Sequence, residues 1–242
     1  MQSNADREAQ EITQSQLAAE LDRFLNAYGE VEAPQAAEAA DTDTQLKNLS
    51  LPLAHAISAS PTGTVLDIGS GKGILLQRLS VLDAFLQSRG WTYAAADYEE
   101  AADPILQLAT QLRLHRRVEV LSLEDLHSTW LPPTCQSPIA VVIRNVLHEL
   151  DIPQTATLLT TLINRLQPAD TVIIQDLLVM HTAERGNACW TADCFAEVLQ
   201  QLGFTFDFVV EPTARGNRWF TFVGSLTANL PLSLDRVRDI VC

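Results

Sequence analysis

From Thr64 onward, short apolar runs alternate with amphipathic ones, and no other feature of this chain restricts its fold as strongly. The apolar runs are Thr64–Ile68, Thr92–Ala96, Val118–Leu123, Ile139–Ile143, Thr171–Gln175, Phe204–Glu211 and Trp219–Gly224, each of strand length. Helical spacing falls between them at Ile74–Ser88, Pro104–Leu114 and Gln154–Leu166, with a short turn at Glu124–His127. Thr191–Leu202 reads as one more helix, with Gly203 as its C-terminal stop. Strands joined through helices must run mostly parallel, and a parallel sheet is covered on both faces. The last two strands are joined only by Pro212 to Arg218, too short for a crossover, so they pair antiparallel. The fold class expected is therefore α/β, a doubly wound, mostly parallel seven-stranded sheet closed by an antiparallel C-terminal hairpin.

A chain of 242 residues, 47% apolar and with no run long enough to span a bilayer, suits one such domain. Residues 61–225 would form it. Residues 1–60 read as a helical N-terminal extension or lid, with Leu17, Leu21, Phe24 and Leu25 at helical spacing and a polar linker over Glu30–Asp43. Residues 226–242, with the amphipathic LSLDRVRDIV, read as a tail leading toward a further domain. Net charge is −14, and residues 1–50 carry −7 of it. A surface so acidic repels phosphate backbones, which argues against general nucleic-acid binding. Cys135, Cys189, Cys194 and Cys242 form no C-x-x-C pair, and MQSNADREAQ has no basic, apolar leader; a reduced cytoplasmic protein without a metal site is expected.

Three of the ten glycines fall within five residues, in Asp67-Ile68-Gly69-Ser70-Gly71-Lys72-Gly73. The loop lies between an apolar strand and a helix, where small residues let a ligand approach the backbone and free amides face it. Ile74 breaks the dinucleotide pattern G-x-G-x-x-G, and no G-K-[ST] follows. With its preceding acid, the segment resembles the first motif of the class I S-adenosylmethionine-dependent methyltransferases, over about residues 60–224 of the chain. The resemblance implies a Rossmann-like methyltransferase fold with S-adenosylmethionine as cofactor. Asp67, Gly69, Ser70, Gly71 and Gly73 would then hold the cofactor's amino-acid end, and Asp97, closing the second strand, its ribose. Glu99 or Glu100 are alternatives for that role, because any carboxylate accepts two hydrogen bonds from a diol. The Gly-Asp pair usual after the third strand is absent, so Glu124 or Asp125 would face the adenine.

The fourth strand and its turn read Ile139-Ala140-Val141-Val142-Ile143-Arg144-Asn145-Val146-Leu147-His148-Glu149-Leu150-Asp151. Arg144 and Asn145 stand where the family lines its cofactor cleft. No [DN]-P-P-[YF] and no Pro-Cys nucleophile is present, which leaves small molecules or proteins as acceptors. The stretch around His148 is similar to the small-molecule O-methyltransferases, in which a histidine here takes the proton of a substrate hydroxyl. A neutral imidazole suits that task; lining the pocket without chemistry is the other reading.

Loops at the carboxyl ends of the strands face the ligand in an open α/β sheet. Arg144, Arg185, Arg215 and Arg218 all belong to such loops. Arg185, Arg215 and Arg218 would bind a carboxylate or phosphate of the substrate, or pair locally with Glu184 and Glu211. The leading reading is methyl transfer to an oxygen of a small molecule. The alternative is a catalytically degenerate module of the same fold, serving as a sensor or docking domain.

Overall fold

The computed structural model describes residues 48–49, 51–79, 90–177, 179–180, 190–212, 218–228 and 230–241. A helix over 51–58, α1, leads into strand β1, Gly63–Ile68, and α2, Ile74–Leu79. Then come β2 (Trp91–Asp97), α3 (Ala102–Gln111), β3 (Val118–Ser122), α4 (Leu123–Ser128) and β4 (Ile139–Arg144). Next are α5 (Ile152–Arg165), β5 (Thr171–Leu177), the two-residue strands β6 (Val179–Met180) and β7 (Trp190–Thr191), and α6 (Ala192–Gln201). The chain closes with β8 (Phe204–Pro212), β9 (Arg218–Leu226) and α7 (Leu234–Val241).

The seven long strands form one sheet in the order β3-β2-β1-β4-β5-β9-β8. The first five run parallel, and β9 enters antiparallel between β5 and β8. All seven strands read from the sequence are present. The ribbon of β6 and β7 was read as loop, since two residues per strand carry no periodic signal.

Alternation sorts each strand's residues between two apolar cores. Leu66 and Ile68 of β1, Val141 and Ile143 of β4 and Ile174 of β5 pack with α4, α5, α6 and α7. Val65 of β1, Tyr93 and Ala95 of β2, and Ala140 and Val142 of β4 pack with α2, α3 and the helix over 51–58. That helix places Leu53 and Ile57 in the second core, and α7 places Val237 and Val241 in the first. So segments at both ends of the described chain cover the sheet. The helical spacing read at Leu17, Leu21, Phe24 and Leu25 lies outside the described residues, as do residues 80–88 of the helix read over Ile74–Ser88.

Caps set the helix starts. Asp151 accepts from the Gln154 amide at 2.8 Å while the Gln154 side chain returns to the Asp151 amide at 2.9 Å, so α5 begins at Ile152 rather than at Gln154. Gly203, at φ +89°, ends the turn after α6 as expected. No helix among the described residues is long and apolar enough to cross a membrane.

Candidate active site

The carboxyl ends of β1, β2, β4 and β5 meet at one edge of the sheet, where the chain order reverses between β1 and β4. After β1 the chain passes through Gly69, Gly71 and Gly73, all with positive φ of +72°, +52° and +77°. Three bonds from backbone amides hold this loop: Gly69 N–H to the Ala96 carbonyl at 2.8 Å, Gly73 N–H to that of Ser70 at 2.9 Å, and Gly71 N–H to the side-chain Oδ2 of Asp97 at 2.6 Å. Asp97 Oδ1 also accepts from the Tyr98 amide at 2.7 Å. A carboxylate at the end of β2 thus clamps the glycine loop against its own strand.

The glycines differ in what surrounds them. A Cβ on Gly69 would lie 2.0 Å from Cγ2 of Val146, whereas one on Gly71 would meet no atom within 4 Å. Gly71 therefore faces open space at the mouth of the cleft. Left-handed backbone costs an alanine about 1–2 kcal/mol at either site. At Gly69 overpacking adds about 1–3 kcal/mol. Urea denaturation of G69A and G71A is expected to show the larger loss for G69A; equal midpoints would contradict the packing argument. Ser70, next to Gly71, has a buried hydroxyl with no partner among the described residues.

Strand alternation places Asp67, Tyr93 and Arg144 on the same side of the sheet, next to the second core. Asp67 is 3% exposed and accepts a hydrogen bond from the Tyr93 hydroxyl. Burial pushes its carboxyl up to about 6, against the Tyr93 bond and the Arg144 guanidinium, which favour the ionised form. Arg144 in turn is held down by burial and up by Asp67 and Tyr93. So Arg144 is half-buried, with its charge set against the Asp67–Tyr93 pair. Arg185 and Arg215 lie outside the described residues, as does the side chain of Arg218, which opens β9. Asn145 follows Arg144 at φ +60°, its amide bound to the Gln175 carbonyl at 2.9 Å.

On the other side of the sheet, β4 passes into a short 3₁₀ turn, Leu147–Glu149, which carries His148. Asp176, at the end of β5, is fully buried. Its Oδ2 accepts from the amides of Val146 at 3.1 Å and Leu147 at 2.7 Å; its Oδ1 accepts from the Leu177 amide at 2.8 Å and lies 2.7 Å from His148 Nδ1. The His148 side chain keeps 23% exposure and Asp176 none, so only the histidine is open to a ligand. The bond to Asp176 raises the His148 pKa above its usual 6.5, against the effect of burial. Nε2 stands 3.7 Å from Oε1 of Glu149. A buried carboxylate that orients an imidazole through Nδ1 leaves Nε2 free to take a proton.

A cavity of about 280 Å³ opens beside these groups, lined by residues that include Ile68, Tyr98, Leu123, His127, Val146 and Leu150. Of the acids read toward it from the sequence, Asp125 turns back to Ser122. Its Oδ2 accepts from the Ser122 amide at 3.3 Å, and its own amide donates to Ser122 Oγ at 3.0 Å, closing a capping box at the start of α4. Glu124 is exposed on the first turn of α4.

A 3-2-1-4-5 parallel sheet with an antiparallel strand inserted next to β5, and a glycine loop after its first strand, is the Rossmann-like fold of the class I S-adenosylmethionine-dependent methyltransferases. Solved structures agree. The chain is similar to a mitomycin 7-O-methyltransferase (21% identity, TM-score 0.51, 88% of this chain and 68% of that one). It is similar also to an O-methyltransferase family protein from Burkholderia thailandensis (14%, 0.53, 85% and 62%). A third is an O-methyltransferase family 2 protein from Planctomyces limnophilus in complex with apigenin (16%, 0.50, 83% and 63%). The chain spans less than two thirds of the length of the last two. No protein-family model and no curated protein matches it. At identities of 14–21% these likenesses establish the fold.

Proposed function

We propose that the protein is an S-adenosylmethionine-dependent methyltransferase acting on an oxygen of a small molecule, with His148 as general base. The observation that carries this reading is the His148–Asp176 pair, set beside a glycine-loop cleft at the carboxyl edge of the sheet. The residues present fit the cofactor. Gly71 faces open space, the Ser70 hydroxyl is buried without a partner among the described residues, and an apolar cavity adjoins both Tyr98 and the turn after β4. Asp67, Gly69, Ser70, Gly71 and Gly73 would hold the amino-acid end, Asp97 the ribose, and the turn at Asn145–Val146 would bound the cleft.

S-adenosylmethionine supplies a methyl group on a sulfonium, transferable by in-line displacement. His148 Nε2 would take the proton of the substrate hydroxyl and so make its oxygen nucleophilic toward that methyl group. Asp176 holds the other ring hydrogen on Nδ1 and stabilises the imidazolium that results. An acceptor that is a small molecule agrees with the net charge of −14, which disfavours nucleic acid.

Calorimetric titration tests the cofactor: S-adenosylmethionine and S-adenosylhomocysteine are expected to bind and nicotinamide dinucleotides not to. Absence of binding by all of them would favour the docking module instead. For the base, the sign follows from the raised His148 pKa. The imidazole must be neutral to accept a proton, so kcat should rise with pH and level off above 6.5. D176N should move that limb to lower pH. A limb unmoved by D176N would assign the base elsewhere.

A further inference from the structure

Tyr93 carries a hydroxyl that packing alone does not require. On β2 it is 2% exposed within the second core, where a phenylalanine would fill almost the same volume. Register pairs Tyr93 with Val65 and Ala95 with Asp67, so Tyr93 and Asp67 lie on one face of the sheet, two residues apart along the strands. The length of the phenol ring spans that step and brings its hydroxyl to Oδ2 of Asp67.

This is the one hydrogen bond that Asp67 makes among the described residues. Tyr93 serves it only as a donor. Burial and the neighbouring Asp67 hold the phenol's pKa well above its usual 10, against the Leu76 amide and the Arg144 guanidinium. Such a bond strengthens when the acceptor is charged, and it fixes which carboxylate oxygen is engaged. With Oδ2 so held, Oδ1 is the oxygen left for a ligand. Two charged groups also act on Asp67: Arg144, on β4, favours its ionised form, and Asp97, at the end of β2, opposes it.

We propose that Tyr93 is a positioning residue of the cofactor site: its hydroxyl holds Oδ2 of Asp67 and favours the carboxylate form, leaving Oδ1 for the cationic ammonium of the cofactor's amino-acid end. The proposal rests on the S-adenosylmethionine reading of the cleft. It accounts for a hydroxyl deep in an apolar core, set beside an acid whose burial disfavours its charge.

The experiment measures, between pH 5 and 8.5, the affinity of wild type and of the Y93F variant for S-adenosylhomocysteine and for 5′-methylthioadenosine, which lacks the amino-acid end. Wild type is expected to lose affinity for S-adenosylhomocysteine below a midpoint of about 6, where Asp67 takes up a proton. Loss of a bond to a charged acceptor should raise that midpoint in Y93F by about one to two units. Y93F is then about five- to fiftyfold weaker than wild type at pH 6 and within about twofold of it at pH 8.5. Its affinity for 5′-methylthioadenosine should match wild type throughout, which damage to the cleft would not allow. Should Y93F not fold, the hydroxyl proton of wild-type Tyr93 gives the second readout by nuclear magnetic resonance: far downfield at pH 8, and moving upfield on acidification with the same midpoint as the affinity. A midpoint unmoved in Y93F, equal losses for both ligands, or a Tyr93 proton that does not follow the affinity would each overturn the assignment while the cofactor reading stands. Failure of wild type to bind S-adenosylhomocysteine at any pH in this range would instead remove the cofactor reading, and this proposal with it.

Discussion

His148→Ala is expected to lower kcat for methyl transfer by about 10²–10⁴-fold and to leave the Kd of S-adenosylhomocysteine within about twofold of wild type. The two effects separate because His148 stands on the turn after β4, whereas the loop that would hold the cofactor follows β1. Stability should change little, since the side chain is partly exposed and its partner keeps other bonds. Asp176→Asn makes the opposite comparison. The carboxylate is fully buried and accepts from the amides of Val146, Leu147 and Leu177 as well as facing His148. An asparagine has one acceptor oxygen for these donors and turns an N–H₂ toward at least one of them. Breaking such a buried, charge-assisted group costs about 3 kcal/mol or more. D176N should therefore lose both thermal stability and rate, and H148A only rate. Single-turnover kinetics with calorimetry decide the matter: an H148A protein with kcat within threefold of wild type has another base.

The sheet was legible in the sequence because parallel strands buried on both faces appear as continuous apolar runs. The same continuity hid the side on which each residue lies. β1 is buried at all six positions, so nothing in Gly63–Ile68 shows that Asp67 turns toward Tyr93 and Arg144. That cluster follows from register, with Asp67 opposite Ala95 on one side and Val142 on the other. Arg144 was grouped with the loop arginines for the same reason: the sequence shows the edge at which a residue ends, not the side to which it points.

His148 was identified from its neighbours along the chain, but its partner was not. Asp176 directly follows Thr171–Gln175, the run read as the fifth strand. Only the adjacency of β4 and β5 in the sheet brings it to 2.7 Å from a histidine 28 residues earlier. His127 has no motif around it in the sequence, and its partner Thr161 lies 34 residues away on another helix. Ser122 to Asp125 is a different case. The S-x-x-D spacing of a capping box was visible in the sequence, and the adenine role was weighed in its place.

Asp67→Asn is expected to give a more stable protein above pH 6 that binds S-adenosylmethionine far less well. The sign follows from linkage. Asp67 has a folded-state pKa of about 6 against 3.8 in an unfolded chain, because burial disfavours its charge more than Tyr93 and Arg144 favour it. A group shifted upward stabilises the fold most fully below its unfolded value, and that contribution fades as pH rises through the folded value. Between pH 3.8 and about 6 the native state thus loses about 3 kcal/mol relative to a neutral side chain at this position. Asparagine is neutral throughout and still accepts the Tyr93 hydrogen bond through its amide oxygen. Thermal unfolding should show D67N above wild type at pH 8 and level with it near pH 4. In the proposed reading, this carboxylate would be the negative partner that the cationic ammonium at the cofactor's amino-acid end needs. A D67N protein no more stable than wild type at pH 8 would show that Arg144 already offsets the burial of that charge. One that kept full affinity for S-adenosylmethionine would remove Asp67 from the binding site.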